Sequence, residues 1–134
     1  MKHLKFPFAE NVTVEISNGS KKIRISCELA SSEVEIFQSL NYRKSKDFDK
    51  PLVLLFANVN KQYFSLQSFN FPVTQISIDP TTDYVKKKSQ IPSSNNKNGN
   101  FIQSYCEFSM VVLFPDKFDL LQNIIEDKTK IKVV

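Results

Sequence analysis

The chain has a single imidazole, His3, in an N-terminal stretch (MKHLKFPFAE) that reads as frayed. Nucleophilic catalysis of the Ser-His-Asp or Cys-His kind needs an imidazole held by a folded element, so that chemistry is set aside. The two cysteines, Cys27 and Cys106, are far apart in sequence and form no Cys-x-x-Cys pair. They fit neither a zinc nor a redox metal site, and read as two buried thiols or as one disulfide between neighbouring strands. Two glycines, Gly19 and Gly99, cannot build a phosphate-cradling loop. No metal and no cofactor is expected.

Four other groups of residues remain. Asp79, Asp83 and Glu107 could supply a carboxylate pair for acid–base or glycosidase chemistry, which needs two such groups at fixed separation. The competing reading of a carboxylate at a strand end is a turn former. Arg43 follows a helical segment, and its fork could hold a carboxylate or phosphate on two oxygens. The competing and preferred reading is an internal ion pair or a carbonyl contact that pins the 44–50 loop. Gln67 and Ser68 interrupt an apolar alternation, and either line a small polar pocket or bond to backbone at a bulge. Lys86, Lys87 and Lys88 form the one cluster in a net charge of +4, a candidate anion site.

These candidates must be positioned by elements that the apolar pattern outlines. Val12, Val14 and Ile16 share one side of a strand, and Ile23, Ile25, Cys27 and Leu29 share one side of the next. The intervening SNGS is a turn signal, so the two form a hairpin. The period then becomes helical: Val34, Phe37 and Leu40 recur with Ile36 beside them, and Ser32 with Glu35 fits a capping box, predicting a helix over 33–41. Residues 43–50 read as a polar loop. PLVLLF at 51–56 is a strand buried on both sides. In YFSLQSFNFPVTQISID, residues 63–79, the alternation slips twice. That predicts one strand bending around a curved sheet, with kinks at Gln67-Ser68 and Thr74-Gln75 and Pro72 at an edge or bend.

Asp79-Pro80-Thr81-Thr82-Asp83 reads as a turn, Tyr84-Val85 as a strand start, and 89–100 as a polar loop. Residues 105–114, YCEFSMVVLF, form a strand. Asp116 caps a second helix over 116–126 whose stripe is Phe118, Leu121, Ile124 and Ile125, and IKVV closes the chain as a short strand. No linker divides residues 1–134, so one domain is expected. No 18-residue apolar span and no signal-like segment stands in the sequence. The chain as given is expected to be soluble and cytoplasmic, with export after removal of a signal left open. Asn11-Val-Thr and Asn18-Gly-Ser match the glycosylation pattern, which arises often by chance.

The order and spacing of these blocks resemble the prokaryotic family known as domain of unknown function 192. ELASSEVEIFQSLNYR at 28–43 fits its first block, with Leu40, Tyr42 and Arg43 in place; PLVLLF fits its second; Phe64, Pro72, Ile78 and Asp79 fit its third. Leu113-Phe114-Pro115 and the 116–126 segment match its tail more loosely. The departures bear on function. Ser39, Pro51, Lys117 and Lys128 stand where the family has Gly. Ser65-Leu66-Gln67-Ser68-Phe69 replaces its Trp-Met-Lys-Asn-Thr run, and Thr74 replaces an Asp. The resemblance implies a mainly β, jelly-roll-like antiparallel sandwich or barrel with two short helices, and it brings no established activity with it.

The residues and the resemblance together predict a non-catalytic β domain that binds a partner protein or small ligand. Ligand contacts are expected at Arg43, Gln67, Ser68 and Asp79. One alternative is an enzyme acting on carbohydrate or another polar small molecule through rim carboxylates. Another is a weak anion or nucleic-acid binder using Lys86–Lys88. The absence of a nucleic-acid motif and of a clear basic face argues against nucleic acid.

Overall fold

The structure, a computed structural model, describes residues 8, 10–38, 43–56, 62–66, 71–79, 81–91, 102–106, 110–118, 125 and 128–134; for 33, 37, 62–66, 91 and 102–106 it describes the backbone alone. The strands are β1 (Asn11–Asn18), β2 (Lys21–Ala30), β3 (Leu52–Leu55), β4 (Gln62–Leu66), β5 (Val73–Ile78), β6 (Val85–Ile91), β7 (Ile102–Cys106), β8 (Met110–Pro115) and β9 (Lys130–Val133). Helix α1 spans Glu33–Gln38, and 3-10 turns lie at Ser45–Asp47 and Asp116–Phe118. The protein is thus mainly β. Among the described residues no helix is long and apolar enough to cross a membrane.

Seven strands form one sheet in the order β6-β5-β8-β3-β2-β1-β9, antiparallel throughout except for β2 and β3. A separate antiparallel ribbon pairs β4 with β7. The predicted hairpin is present: β1 and β2 pair from Asn11↔Glu28 to Asn18↔Lys21, with Gly19 at φ +63 in the turn. Only glycine reaches that left-handed conformation without a Cβ penalty. The outer strands β6 and β9 also meet at one corner. There Tyr84 and Lys130 form a bridge, the Val85 N–H donates to the Thr129 carbonyl at 2.9 Å, and the Ile131 N–H donates to the Asp83 carbonyl at 2.9 Å.

Side chains alternate across a strand, and both faces of this sheet are used. One face carries Val14, Ile16, Cys27, Val53, Ile76, Ile78, Val112, Phe114 and Ile131, all at most 1% exposed, with Ile125 and the partly buried Phe118 beside them. The opposite face, over the end of β2 and over β3, β8 and the start of β5, carries Ala30, Leu52, Leu54, Val73, Val111 and Leu113. It is covered by Phe8, Phe48, Phe56 and Phe71, with Ile36 of α1 packed against it. Burying a Val, Leu, Ile or Phe side chain is worth about 1.5–3 kcal/mol, so these two layers dominate the fold's stability. The open part of that second face, over β1, β9 and the first half of β2, has no such cover among the described residues.

Several expectations are corrected by this arrangement. The 63–79 run is two strands in two sheets, not one bent strand. The slip at Thr74-Gln75 is no kink, because β5 runs in unbroken register against β8 from Val73↔Pro115 to Ile78↔Met110. β5 is buried on both faces, so Val73 enters one core while Ile76 and Ile78 enter the other. The sheet's register shift lies instead between Ser77 and Ile78, on the β6 side. Gln67-Ser68 lies outside the described residues. Residues 89–91 continue β6 rather than opening a loop, since the ladder needs only backbone groups and the side chains of an outer strand can stay polar.

The strand expected over 105–114 supplies β7 and β8 to different sheets, with 107–109 outside the described residues. Helix α1 is capped as expected: the Glu35 N–H donates to Ser32 Oγ at 3.2 Å, and the Ser32 N–H donates to Glu35 Oε1 at 3.2 Å. Val34 is 57% exposed, however, and Ile36 makes the core contact. The helix expected over 116–126 begins as the 3-10 turn Asp116–Phe118, and most of the remainder lies outside the described residues.

Candidate functional site

Arg43 lies in the interior, 2% exposed. Its Nη1 donates to Glu28 Oε2 at 2.8 Å and its Nη2 to Glu28 Oε1 at 3.0 Å, the two-pronged geometry that only a guanidinium offers a carboxylate. Nη1 also donates to the Asp47 carbonyl at 3.1 Å, which ties down the 45–47 turn. The guanidinium carbon stands 4.7 Å from the centre of the Phe8 ring and 5.9 Å from that of Phe48. Glu28 in turn accepts the Phe8 N–H at 2.7 Å. The carboxylate that Arg43 holds is therefore the chain's own. Glu28 escaped notice in the sequence because strict alternation puts it on the solvent side of β2, with Lys22 and Arg24. Phe48, isolated in the polar run 43–50, was the signal that this side is covered at its far end.

Asp79 ends β5 and forms the turn expected there. Its Oδ1 accepts the Thr81 N–H at 2.8 Å, the Asp79 N–H donates to the Tyr84 carbonyl at 2.9 Å, and the Asp83 N–H donates to the Asp79 carbonyl at 2.9 Å. Hydrogen bonding by Thr81 holds the Asp79 carboxyl below its ordinary value, with small help from Thr82 and Lys86 against slight desolvation. Asp83 closes the same turn at φ 65, a left-handed conformation that Asp tolerates better than most residues. Glu107, Gln67 and Ser68 lie outside the described residues. Lys86, Lys87 and Lys88 are all exposed on β6. Lys87 stands opposite Ser77 and Lys88 opposite Ile76, so these two point to opposite faces, and Lys86 falls at the register shift with no residue opposite it; the cluster does not converge. Cys27 is buried in the core face, and burial pushes its thiol up to about 12, with a small opposing effect from Lys50. Such a thiol is a poor nucleophile.

The structure brings together a different set of cations. On the uncovered face, a cavity of about 440 Å³ is lined by residues of β1, the start of β2, β9 and the corner turn, among them Glu15, Ser17, Lys22, Tyr84, Lys128 and Lys130. Register makes this a grid. Ser17 stands directly opposite Lys22 on one side and Lys130 on the other, and in the neighbouring row Glu15 stands opposite Arg24 and Lys132. Arg24 Nε donates to Glu15 Oε2 at 3.1 Å, so the buried carboxylate of the second row already has a cation. The Lys130 ammonium lies 4.9 Å from the centre of the Tyr84 ring, a cation–π contact. Sequence reading missed this group because its lysines are spread over 22–132. Only the pairing of β1 with both β2 and β9 collects them.

No family model matches the chain, and no curated protein matches it. Solved structures do. A candidate transcription regulator from Sinorhizobium meliloti 1021 superposes with a TM-score of 0.68 at 12% identity, over 98% of this chain and 98% of that one. A protein of unknown function from Novosphingobium aromaticivorans DSM 12444 superposes with a TM-score of 0.69 at 14% identity, over 91% of this chain and 84% of that one. At such identities the likeness is one of fold, and what this chain shares with the two proteins is its β architecture.

Proposed function

We propose that this chain is a non-catalytic β domain that binds an anionic partner or small ligand on the open face of β2, β1 and β9. One observation carries the reading: four lysines from two segments far apart in sequence, Lys22 of β2 and Lys128, Lys130 and Lys132 at β9, line a single concavity. The acidic groups in the same wall are Glu15 and Asp83, and Glu15 is already paired with Arg24. Like charges gathered around a hollow raise the local concentration of an oppositely charged ligand. The jelly-roll-like sandwich or barrel and the divergent kinship with domain of unknown function 192 are part of the same proposal. Support comes from the contact between β6 and β9 at Tyr84 and Lys130 and from burial of the shared hydrophobic positions Leu52, Phe56 and Ile78.

The test is thermal-shift and calorimetric titration with inorganic phosphate, citrate and a Glu-rich peptide at low and at physiological salt, for the native chain and for Lys22→Glu/Lys130→Glu. The reading expects at least one anion to bind, more weakly as the screening length shrinks to about 8 Å at physiological ionic strength, and not to bind the double variant. Absence of binding by all three at low salt contradicts it. Turnover of a polar substrate that depends on Asp79 contradicts its non-catalytic part.

A further inference from the structure

Resting on that reading of the open face, we infer that its ligand is a phosphomonoester of a small molecule carrying a flat ring, with the phosphate over Ser17 between Lys22 and Lys130. Strands in a sheet are about 4.8 Å apart. Lys22 and Lys130, the partners of Ser17 on its two sides, therefore start about 10 Å apart across one row, and their long side chains can converge on one group above the hydroxyl. A phosphomonoester carries a charge of about −1.5 to −2 near neutral pH and three acceptor oxygens. Two ammonium groups and a hydroxyl donor match that demand, with Lys128 at the rim as a third cation.

A carboxylate ligand is matched better by an arginine fork, and the arginine of this face, Arg24, is bonded to Glu15. The second row also discriminates. Its centre is the Glu15 carboxylate, 7% exposed and bonded to Arg24, so with Lys132 this row offers a second phosphate one net positive charge against the two of the Ser17 row. The face therefore suits one terminal phosphate better than a nucleic-acid backbone. Tyr84 supplies the remaining specificity. Its ring, 41% exposed, stands in the wall of a 440 Å³ hollow that a lone phosphate leaves largely unfilled. The same ring holds the Lys130 ammonium at 4.9 Å, so that cation is partly ordered before the ligand arrives.

Isothermal titration at low ionic strength with adenosine 5′-monophosphate, ribose 5-phosphate, inorganic phosphate, citrate and a short single-stranded oligonucleotide tests this. The nucleoside monophosphate is expected to bind at least about fivefold tighter than the two phosphates that lack a flat ring. Tyr84→Leu should bring it to their level, and Lys130→Gln should weaken all three phosphates at least about tenfold. Circular dichroism confirms that both variants are folded, and ³¹P line broadening on the native chain reads binding without any variant. Equal binding of the nucleotide and of the phosphates without a flat ring overturns the ring; tighter binding of the oligonucleotide overturns the single-phosphate assignment. Binding of citrate but of no phosphate leaves anion binding standing and removes this inference, whereas binding of nothing removes both.

Discussion

Glu28 and Arg43 face each other in the buried interior, joined by two hydrogen bonds of 2.8 and 3.0 Å, with 1% and 0% of their side chains exposed. The pair ties β2 to the turn that follows α1, and through the Phe8 N–H it also anchors the N-terminal segment. Each charge has the other as its ion-pair partner, and backbone groups add hydrogen bonds to both. Removing one partner leaves a buried charge unmatched, which costs about 3–5 kcal/mol. We expect Arg43→Met and Glu28→Gln each to lower the urea midpoint strongly. The double variant Glu28→Met/Arg43→Met should recover much of the loss, because two apolar side chains can replace a buried pair. Arg43→Lys should also fail to substitute, having no fork. Additive losses in the double-mutant cycle would contradict the coupling.

The Glu28–Arg43 relation also shows where the sequence stops being legible. The pattern of β1 and β2, the turn at Gly19, the capping box of Ser32 and Glu35 and the apolar run at 51–56 each follow from local chemistry, and the structure has them. Arg43 was visible as a residue that would hold a carboxylate, a phosphate or an internal partner, but that partner sat on β2 among residues that alternate toward solvent. Local periodicity reports which side a residue takes, not what later covers that side. The same limit hid the split of 63–79 into β4 and β5. A strand buried on both faces has apolar residues in both phases, and one sequence cannot distinguish that from a kink. The basic concavity was the least legible feature, since Lys22 and Lys130 become neighbours only through Ser17 of β1.

Cys27 gives a pH prediction of definite sign. Its thiol is raised from an ordinary 9.0 to about 12 by burial, so between those values the unfolded chain has released a proton that the folded chain retains. Its contribution is fully present below pH 9.0 and is lost as pH rises through the folded value. In a Cys106→Ser background, native protein should resist thiol-reactive dye at pH 8 and react promptly once unfolded. Cys27→Ala in that background should lose less stability than its parent between pH 9 and 11. Rapid modification of folded protein would contradict the burial.

Asp79 gives the opposite sign. Its carboxyl lies below the ordinary 3.8 because the ionised form accepts the Thr81 N–H. Its contribution is present above the ordinary value and is lost as pH falls through the folded one. A carboxyl-carbon NMR titration should place its midpoint under 3.8. Asp79→Ala should remove that titration and loosen the turn that joins β5 to β6, whereas Asp79→Asn keeps an acceptor oxygen and should be tolerated. A midpoint at or above the ordinary value would remove the hydrogen bond's role.

Asp83 closes that turn at φ 65 and offers its carbonyl to the Ile131 N–H, at the corner where β6 and β9 meet. Only glycine adopts this region freely. Asp83→Gly should therefore be close to neutral in thermal unfolding, and Asp83→Val should cost about 1–3 kcal/mol through strain. Equal stability of the two variants would show that the residue does not hold this conformation in solution.

The central claim is that the open face of β2, β1 and β9 takes an anion. Backbone amide shift mapping under titration with inorganic phosphate, citrate and a Glu-rich peptide at low salt tests it most directly. The account predicts saturable shifts centred on Ser17, Lys22, Tyr84, Lys130 and Lys132 that fade as salt is added. Shifts confined to Lys86, Lys87 and Lys88, or no shifts with any of the three anions, would contradict it.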